Sequence, residues 1–397
     1  MRSAARLDRL GTEQAYVVLG AARALEAAGH QVVHLEIGEP DMPTPPHVVE
    51  AGVRALREGR TRYALAAGLP ELRDAIAQSL AARGLRAAAE NVVVAPGAKP
   101  ILFCAALALV EPGDEVLTPD PGFPIYESVV RFAGGRPVYY PLDESRAFAP
   151  DTQAIAERIT PRTRAIILNP PHNPTGGVAT AADLARLAEL AQRHDLWVVA
   201  DEVYGRIRYD GGYDTIAALP GMADRTFIVD GFSKTYSMTG WRLGYGVMPA
   251  WLAGPVTTLI INNVSCTATF VQYAGIAALT GPQDAVTRMV SGLRAKRDHL
   301  TRALNAFEGI RCATPAGAFY CFPDVGGLLE RTGMTCEAFA DRLLAEAHVA
   351  VLAGTAFGPG GAGHLRLSYA TDPAQLDLAL QRLRSWVGSV AGVGARG

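Results

Sequence analysis

The chain has 397 residues, 49% of them hydrophobic, with 37 lysines and arginines against 39 aspartates and glutamates and a net charge of -2. A balanced surface of this kind excludes the clustered positive charge that nucleic acid or an anionic membrane demands. The apolar content excludes disorder over most of the chain and provides for one large or two medium cores.

In chain order, Arg2, Arg6 and Arg9 precede an apolar run at 15–22, which faintly resembles a secretion signal. Asp8 and Glu13 interrupt it and the pattern continues as the helix-like AARALEAAG, so a cytoplasmic chain is expected. Six short apolar runs then follow at 91–95, 115–118, 164–169, 196–201, 226–230 and 242–247. Rich in valine and isoleucine and without strict polar alternation, they read as strands buried on both faces. Helix-spaced segments lie between them, such as 181–194, with Leu184, Leu187, Leu190 and Ala191 on one stripe. Strands alternating with helices predict an α/β fold with a mostly parallel, doubly wound sheet.

Residues 282–308 predict a long amphipathic helix. Beyond it, 311–323 and 349–369 read as short strands and 335–347 and 373–387 as helices, a smaller α+β unit. The expected division is an N-terminal segment (1–45) packing on the small domain, a large domain (46–284) and a small C-terminal domain (285–397), with a frayed tail at 388–397. Five cysteines without a CxxC pair predict neither a disulfide framework nor a thiolate metal site and fit a reducing compartment. No apolar stretch reaches the ~18 residues of a membrane span.

In a doubly wound sheet, ligands bind beyond the carboxyl ends of the strands. Five of the runs are followed there by PGAK (96–99), PDPGFP (119–124), PPHNPTGG (170–177), DEVY (201–204) and GFSKT (231–235). Together they offer a glycine turn, an aromatic ring, an amide, a carboxylate, a phenol, a hydroxyl and an amine. That set suits an aldehyde cofactor carrying a phosphate and a ring nitrogen. Lys234, one of only three lysines with Lys99 and Lys296, can form a Schiff base. Asp201 can keep a pyridine nitrogen protonated. The turn at 97–99 offers free N–H groups to a phosphate.

With these residues in view, the chain resembles the class I/II, fold-type I aminotransferases, which are similar to aspartate aminotransferase. The matching pieces are IGEPD (37–41), YALAAGLPELR (63–73), PGAK, EPGDEV (111–116), PGFPIY (121–126), NPPHNPTGG (169–177), DEVY, SKTYSMTGWRLGY (233–245), PAGAFY (315–320) and HLRLSYA (364–370). They occur in family order along nearly the whole chain.

The resemblance implies pyridoxal 5'-phosphate as cofactor and assigns roles residue by residue. Lys234 would hold the cofactor and shuttle a proton. Asp201 would pair with the pyridinium nitrogen. Tyr204 and Asn173 would hydrogen-bond the cofactor's phenolate oxygen. Ser233 and Arg242 would bind the phosphate, joined by Gly97, Ala98 and Lys99 at the helix start, mainly through backbone N–H; the Lys99 side chain is expected to be solvated. Phe123 would stack on the ring. Tyr63 would reach the phosphate in a neighbouring subunit, making the active site a property of a homodimer. Arg366 would clamp the substrate α-carboxylate, with Gly38 and Asn173 beside it.

The implied reaction is a ping-pong transfer of an amino group from an L-amino acid to a 2-oxo acid. Two alternatives stay open. One is another reaction of the same cofactor, such as elimination, racemisation, cyclisation or oxidation. The other is a cofactor-sensing regulator, although the chain has no added basic DNA-binding segment. Tyr16, Val17, Asn263 and Phe357 are candidates for the side-chain pocket; the two aromatics would admit an apolar or aromatic substrate. No arginine is assignable to a distal carboxylate. The GPGGAG at 358–363 precedes a strand, so a dinucleotide reading fails, and a mobile loop beside Arg366 is expected. His30 and His34 flank a strand-like QVVH and do not form a helical metal site, and no other metal motif is present.

Overall fold

The structure is a computed structural model that describes residues 2–212 and 214–391. After β1 (Val33–His34) come β2 (Val92–Ala95), β3 (Glu115–Asp120), β4 (Arg136–Pro141), β5 (Thr163–Leu168), β6 (Trp197–Asp201), β7 (Thr226–Gly231) and β8 (Gly244–Val247). Among the described residues these last seven form one sheet in the order β2-β8-β7-β6-β5-β3-β4. Strand β8 runs antiparallel to both neighbours and the remaining pairs are parallel. Strand β2 therefore points the same way as β7, and the carboxyl ends of β2, β3, β5, β6 and β7 share one edge.

The runs look continuous because alternate residues enter two different cores. Val93, Ala95, Val116, Ala165, Ile167, Val199 and Val229 pack under the helices Ala98–Leu109, Ile125–Ala133 and Ala250–Val264. Leu117, Ile166, Leu168 and Val198 face Ala181–Arg193, and Val92, Val94 and Ile228 face Pro70–Ala81 and Thr269–Thr280. The helix Ala181–Arg193 starts where Thr180 and Asp183 cap each other, the Asp183 carboxylate accepting from Thr180 N and Thr180 Oγ1 from Asp183 N. Strand β4 had no counterpart among the apolar runs. It is the sheet edge, exposed at both ends, so its sequence carries less apolar signal.

The C-terminal part holds β9 (Tyr320–Cys321), β10 (Val349–Ala350), β11 (Leu352–Ala353) and β12 (Leu365–Ser368). Strands β11, β12 and β9 pair antiparallel in that order, while β1 pairs parallel with β10. Val33 and Leu35 are buried with Leu300, Leu304, Phe339, Leu343, Leu376 and Leu383. The helix Gln14–Ala27 joins them through Ala22, packed on Val32, Leu344 and Ala350. Ahead of that helix the chain also touches the large sheet's layer, where Gly11 N donates to Ser128 Oγ at 3.0 Å. The last helix, Pro373–Ala391, runs through 388–391, where a frayed tail was expected; 392–397 lie outside the described residues.

Candidate active site

Asp201 ends β6 at the shared edge and is 6% exposed. Its Oδ2 accepts from Tyr126 Oη at 2.8 Å. Burial pushes the carboxyl up to about 6, with the Tyr126 hydrogen bond acting in the opposite direction. Asn169 Nδ2 donates to the Asp201 carbonyl at 2.8 Å, and Asn169 Oδ1 accepts from Asn173 N at 2.9 Å. Asn173 Oδ1 in turn accepts from Arg366 Nη1 at 3.2 Å. One chain of hydrogen bonds thus joins Asp201, Asn173 and Arg366. Sequence reasoning missed Tyr126, although it closes the PGFPIY motif three residues after Phe123.

Lys234 follows β7, and its Nζ donates to the Gly38 carbonyl at 2.6 Å. Burial pushes the amine down to about 8; Glu39 opposes this, and the charges of Arg366, Lys99 and Arg242 reinforce it. A Cβ on Gly38 would lie 1.8 Å from Tyr320 Oη, so the glycine is required for that phenol to be there. Tyr320 in turn shares a 2.7 Å hydrogen bond with Tyr204 Oη. Tyr320 was also missed; it ends the PAGAFY motif and reads as a core aromatic.

Among the described residues no side chain caps the N-terminus of the helix Ala98–Leu109, which begins after Gly97, leaving backbone N–H groups free. Gly97 has φ +101°, and a Cβ there would come within 2.3 Å of Arg242 Nη2. Arg242 itself is held at φ +56°, with Nη1 donating to the Thr239 carbonyl at 2.8 Å. Free N–H groups and a guanidinium in a cradle that a methyl would fill fit a phosphate. With the buried carboxylate of Asp201 and the amine of Lys234, the residues present fit pyridoxal phosphate.

Arg366, on β12, is 4% exposed. Its Nη2 donates to the Glu36 carbonyl, and its guanidinium lies 4.5 Å from the Tyr320 ring and 5.0 Å from that of Phe357. Its Nε has no partner among the described residues. A buried N–H left unmatched costs about 1–3 kcal/mol, which a carboxylate ligand would recover.

Phe123 packs edge-on against Tyr126. The Lys99 side chain, 42% exposed, is ion-paired to Glu13, with its ammonium 5.5 Å from the Phe123 ring and 5.8 Å from that of Tyr16. Glu13 sits close enough to bias Tyr320 and Arg366 electrostatically. The 358–363 segment is not a loose loop. It forms a short turn whose Gly360 N donates to Asp120 Oδ1 at 2.8 Å, with the backbone of Gly358 and Gly360 against that carboxylate. Ser233 directly precedes Lys234 in the turn after β7. Tyr63 stands 89% exposed and Val17 58%, and Asn263 is exposed; none joins the buried cluster in a single chain. Among the described residues, no group of His, Cys, Asp and Glu side chains is arranged to hold a metal ion, and no helix is long and apolar enough to cross a membrane.

A family model described as aminotransferase class I and II matches residues 30–383. The aspartate aminotransferase of Musicola paradisiaca is 39% identical over 375 residues, 93% of each chain. A crystal structure of the aspartate aminotransferase from Rhizobium meliloti superposes with a TM-score of 0.92 at 37% identity, covering 99% of both chains. The aromatic aminotransferase from Pyrococcus horikoshii does so with a TM-score of 0.87 at 38% identity, covering 93% of this chain and 99% of that one.

Proposed function

The chain belongs to the class I and II aminotransferases, and we infer that its donor is a neutral or aromatic L-amino acid. It is a pyridoxal phosphate-dependent aminotransferase that moves an amino group from an L-amino acid to a 2-oxo acid by a ping-pong mechanism.

When bound, the cofactor supplies an aldehyde that captures the substrate amine and a ring that accepts the electron pair left when the Cα proton departs. In our reading, the Gly97–Lys99 backbone, Ser233 and Arg242 hold its phosphate, Phe123 covers its ring, and Tyr204 and Asn173 meet its phenolate oxygen. Asp201 keeps a proton on the ring nitrogen; sealed from water, that ion pair is stronger than it would be at the surface. Arg366 grips the α-carboxylate and so turns the Cα–H bond toward Lys234. Lys234, with its amine at about 8, has a neutral fraction near neutral pH and moves the proton from Cα.

The substrate class rests on one observation: the Lys99 ammonium is already matched by Glu13 and lies within 6 Å of the Tyr16 and Phe123 rings. A second carboxylate on the substrate would have to displace Glu13, whereas an apolar or aromatic side chain meets aromatic rings. The names of the relatives favour a second reading, aspartate, with Lys99 released to meet its distal carboxylate. Titrating the pyridoxal phosphate-loaded protein with single amino acids, and assaying oxo acid formation with and without an added 2-oxo acid, separates the readings. Bleaching of the visible cofactor band by phenylalanine, tyrosine or leucine in preference to aspartate supports the neutral donor. Preference for aspartate overturns it.

The same reading includes a cytoplasmic homodimer, each chain divided into an N-terminal segment (1–45) packing on the small domain, a large domain (46–284) and a small domain (285–397). All five cysteines are free thiols, which suits a reducing compartment. Tyr63, exposed in one chain, would reach the phosphate of the neighbouring subunit's site. The pairing of β1 with β10 supports the N-terminal segment as part of the small domain.

A further inference from the structure

Glu36 is fully buried, yet its carboxylate is only half satisfied. Its Oε1 lies 2.7 Å from His34 Nδ1, and its Oε2 has no hydrogen-bond partner among the described residues. The other ring nitrogen of His34 lies 3.1 Å from Glu26 Oε1, on the helix Gln14–Ala27. A neutral imidazole carries one N–H and can donate to only one of two carboxylates; the imidazolium donates to both. Burial opposes that charge, but the bonds from Glu36 and Glu26 outweigh it and raise His34 above its ordinary value.

The backbone of this segment serves the site at two points. The Glu36 carbonyl accepts from Arg366 Nη2, and the Gly38 carbonyl accepts from Lys234 Nζ. Just before it, Leu35 N donates to the Ala350 carbonyl at 2.9 Å and the Leu35 carbonyl accepts from Ser368 N at 2.8 Å. Main-chain bonds thus fix Leu35, and the Glu36 side chain fixes the next link.

We propose that Glu36 is a positioning residue for the reaction: anchored through His34 to Glu26, it sets the carbonyl that aims Arg366 at the substrate. This rests on Arg366 as the α-carboxylate clamp. The charged groups around His34 are Glu36, two residues past the end of β1, Glu26 on the N-terminal helix, and Arg23, which pairs with Glu26 at 3.0 Å. The Glu36 carboxylate also acts electrostatically on Arg366. His348 packs at a tilt against His30 with its Nδ1 unpartnered among the described residues, and Arg382 donates to the Gln31 and His348 carbonyls. The anchor is complete while His34 is charged. It fails as pH rises through the raised value, because one carboxylate then loses its donor.

The test is steady-state kinetics of the holoenzyme with its best amino acid donor over roughly pH 6 to 9, for wild type, His34→Gln, Glu36→Gln and Glu26→Gln. The expected result is an amino acid KM raised about tenfold in His34→Gln and Glu36→Gln, with kcat changed less than about twofold. Wild-type KM should climb on the alkaline side and that climb should vanish in His34→Gln. Glu26→Gln alters a half-exposed group, keeps the fold, and should move the climb to lower pH. If His34→Gln and Glu26→Gln both superimpose on the wild-type KM profile, the proposal is wrong even should Glu36→Gln fail to fold. Arg366→Ala separates the two levels. An unchanged KM there defeats the clamp itself, whereas a raised KM with unaffected His34 and Glu26 variants defeats only the anchor.

Discussion

Tyr126 donates its hydroxyl proton to Asp201 Oδ2 across 2.8 Å, and both groups are buried. The bond favours the ionised carboxylate against a burial effect that still leaves it at about 6. Tyr126→Phe withdraws the bond, so the carboxyl rises further and is less ionised near neutrality. The acid limb of kcat should move up by about one pH unit, and activity near its foot should fall about tenfold. A limb that stays in place removes Tyr126 from the mechanism.

Lys234→Ala removes the amine that contacts the Gly38 carbonyl but little apolar packing. Oxo acid formation should drop by at least about a thousandfold while the far-ultraviolet circular dichroism stays unchanged. Retained turnover would disqualify Lys234 as the proton carrier.

Gly97→Ala places a Cβ 2.3 Å from Arg242 Nη2 at a backbone φ of +101°. Both the strain and the clash fall on the phosphate cradle. The apparent dissociation constant for pyridoxal phosphate, read by fluorescence titration of the cofactor-free protein, should rise about tenfold or more. Equal affinity would put the phosphate elsewhere.

Glu13→Gln frees the Lys99 ammonium from its ion pair. The ratio of kcat/KM for aspartate over phenylalanine should rise about tenfold. No change in the ratio would detach this pair from substrate choice.

Asp230 sits near the end of β7 with Oδ1 on Gly231 N at 2.6 Å and Oδ2 on Tyr245 Oη at 3.0 Å, and burial pushes it up to about 7. A carboxyl raised on folding holds its proton more tightly in the native state, so stability falls as pH rises from the unfolded value toward the folded one. Asparagine cannot ionise. The melting temperature of Asp230→Asn relative to wild type should therefore grow between about pH 4 and 7 and level off above, reaching a few degrees. A pH-independent difference contradicts the assigned ionisation.

The sheet and the residues ending its strands were legible because a two-faced buried strand writes a continuous apolar run, and the polar residues after it stand out. Tyr126 and Tyr320 were not legible. Each is an aromatic in an apolar setting, and what distinguishes it from core is a partner 75 or 116 residues away. The ion pair of Lys99 was hidden for a similar reason: its partner Glu13 lies 86 residues earlier, in a segment with no strand-end logic to mark it. His34 ends the two-residue strand β1 and Glu36 lies just past it, and which of them is buried is decided by packing against the C-terminal part of the chain.

That last pairing bears on how the protein is made. Val33 in β1 meets Val349 in β10, 349 - 33 = 316 positions later. At about 5–20 residues per second, the ribosome needs roughly 15 to 60 s to supply that partner. Throughout that interval Val32, Val33 and Leu35, all buried in the finished protein, ride on the nascent chain as a bare apolar strand. The segment carrying the carbonyls for Arg366 and Lys234 thus waits on a partner made 316 positions after it, and it is where a chaperone would find its grip.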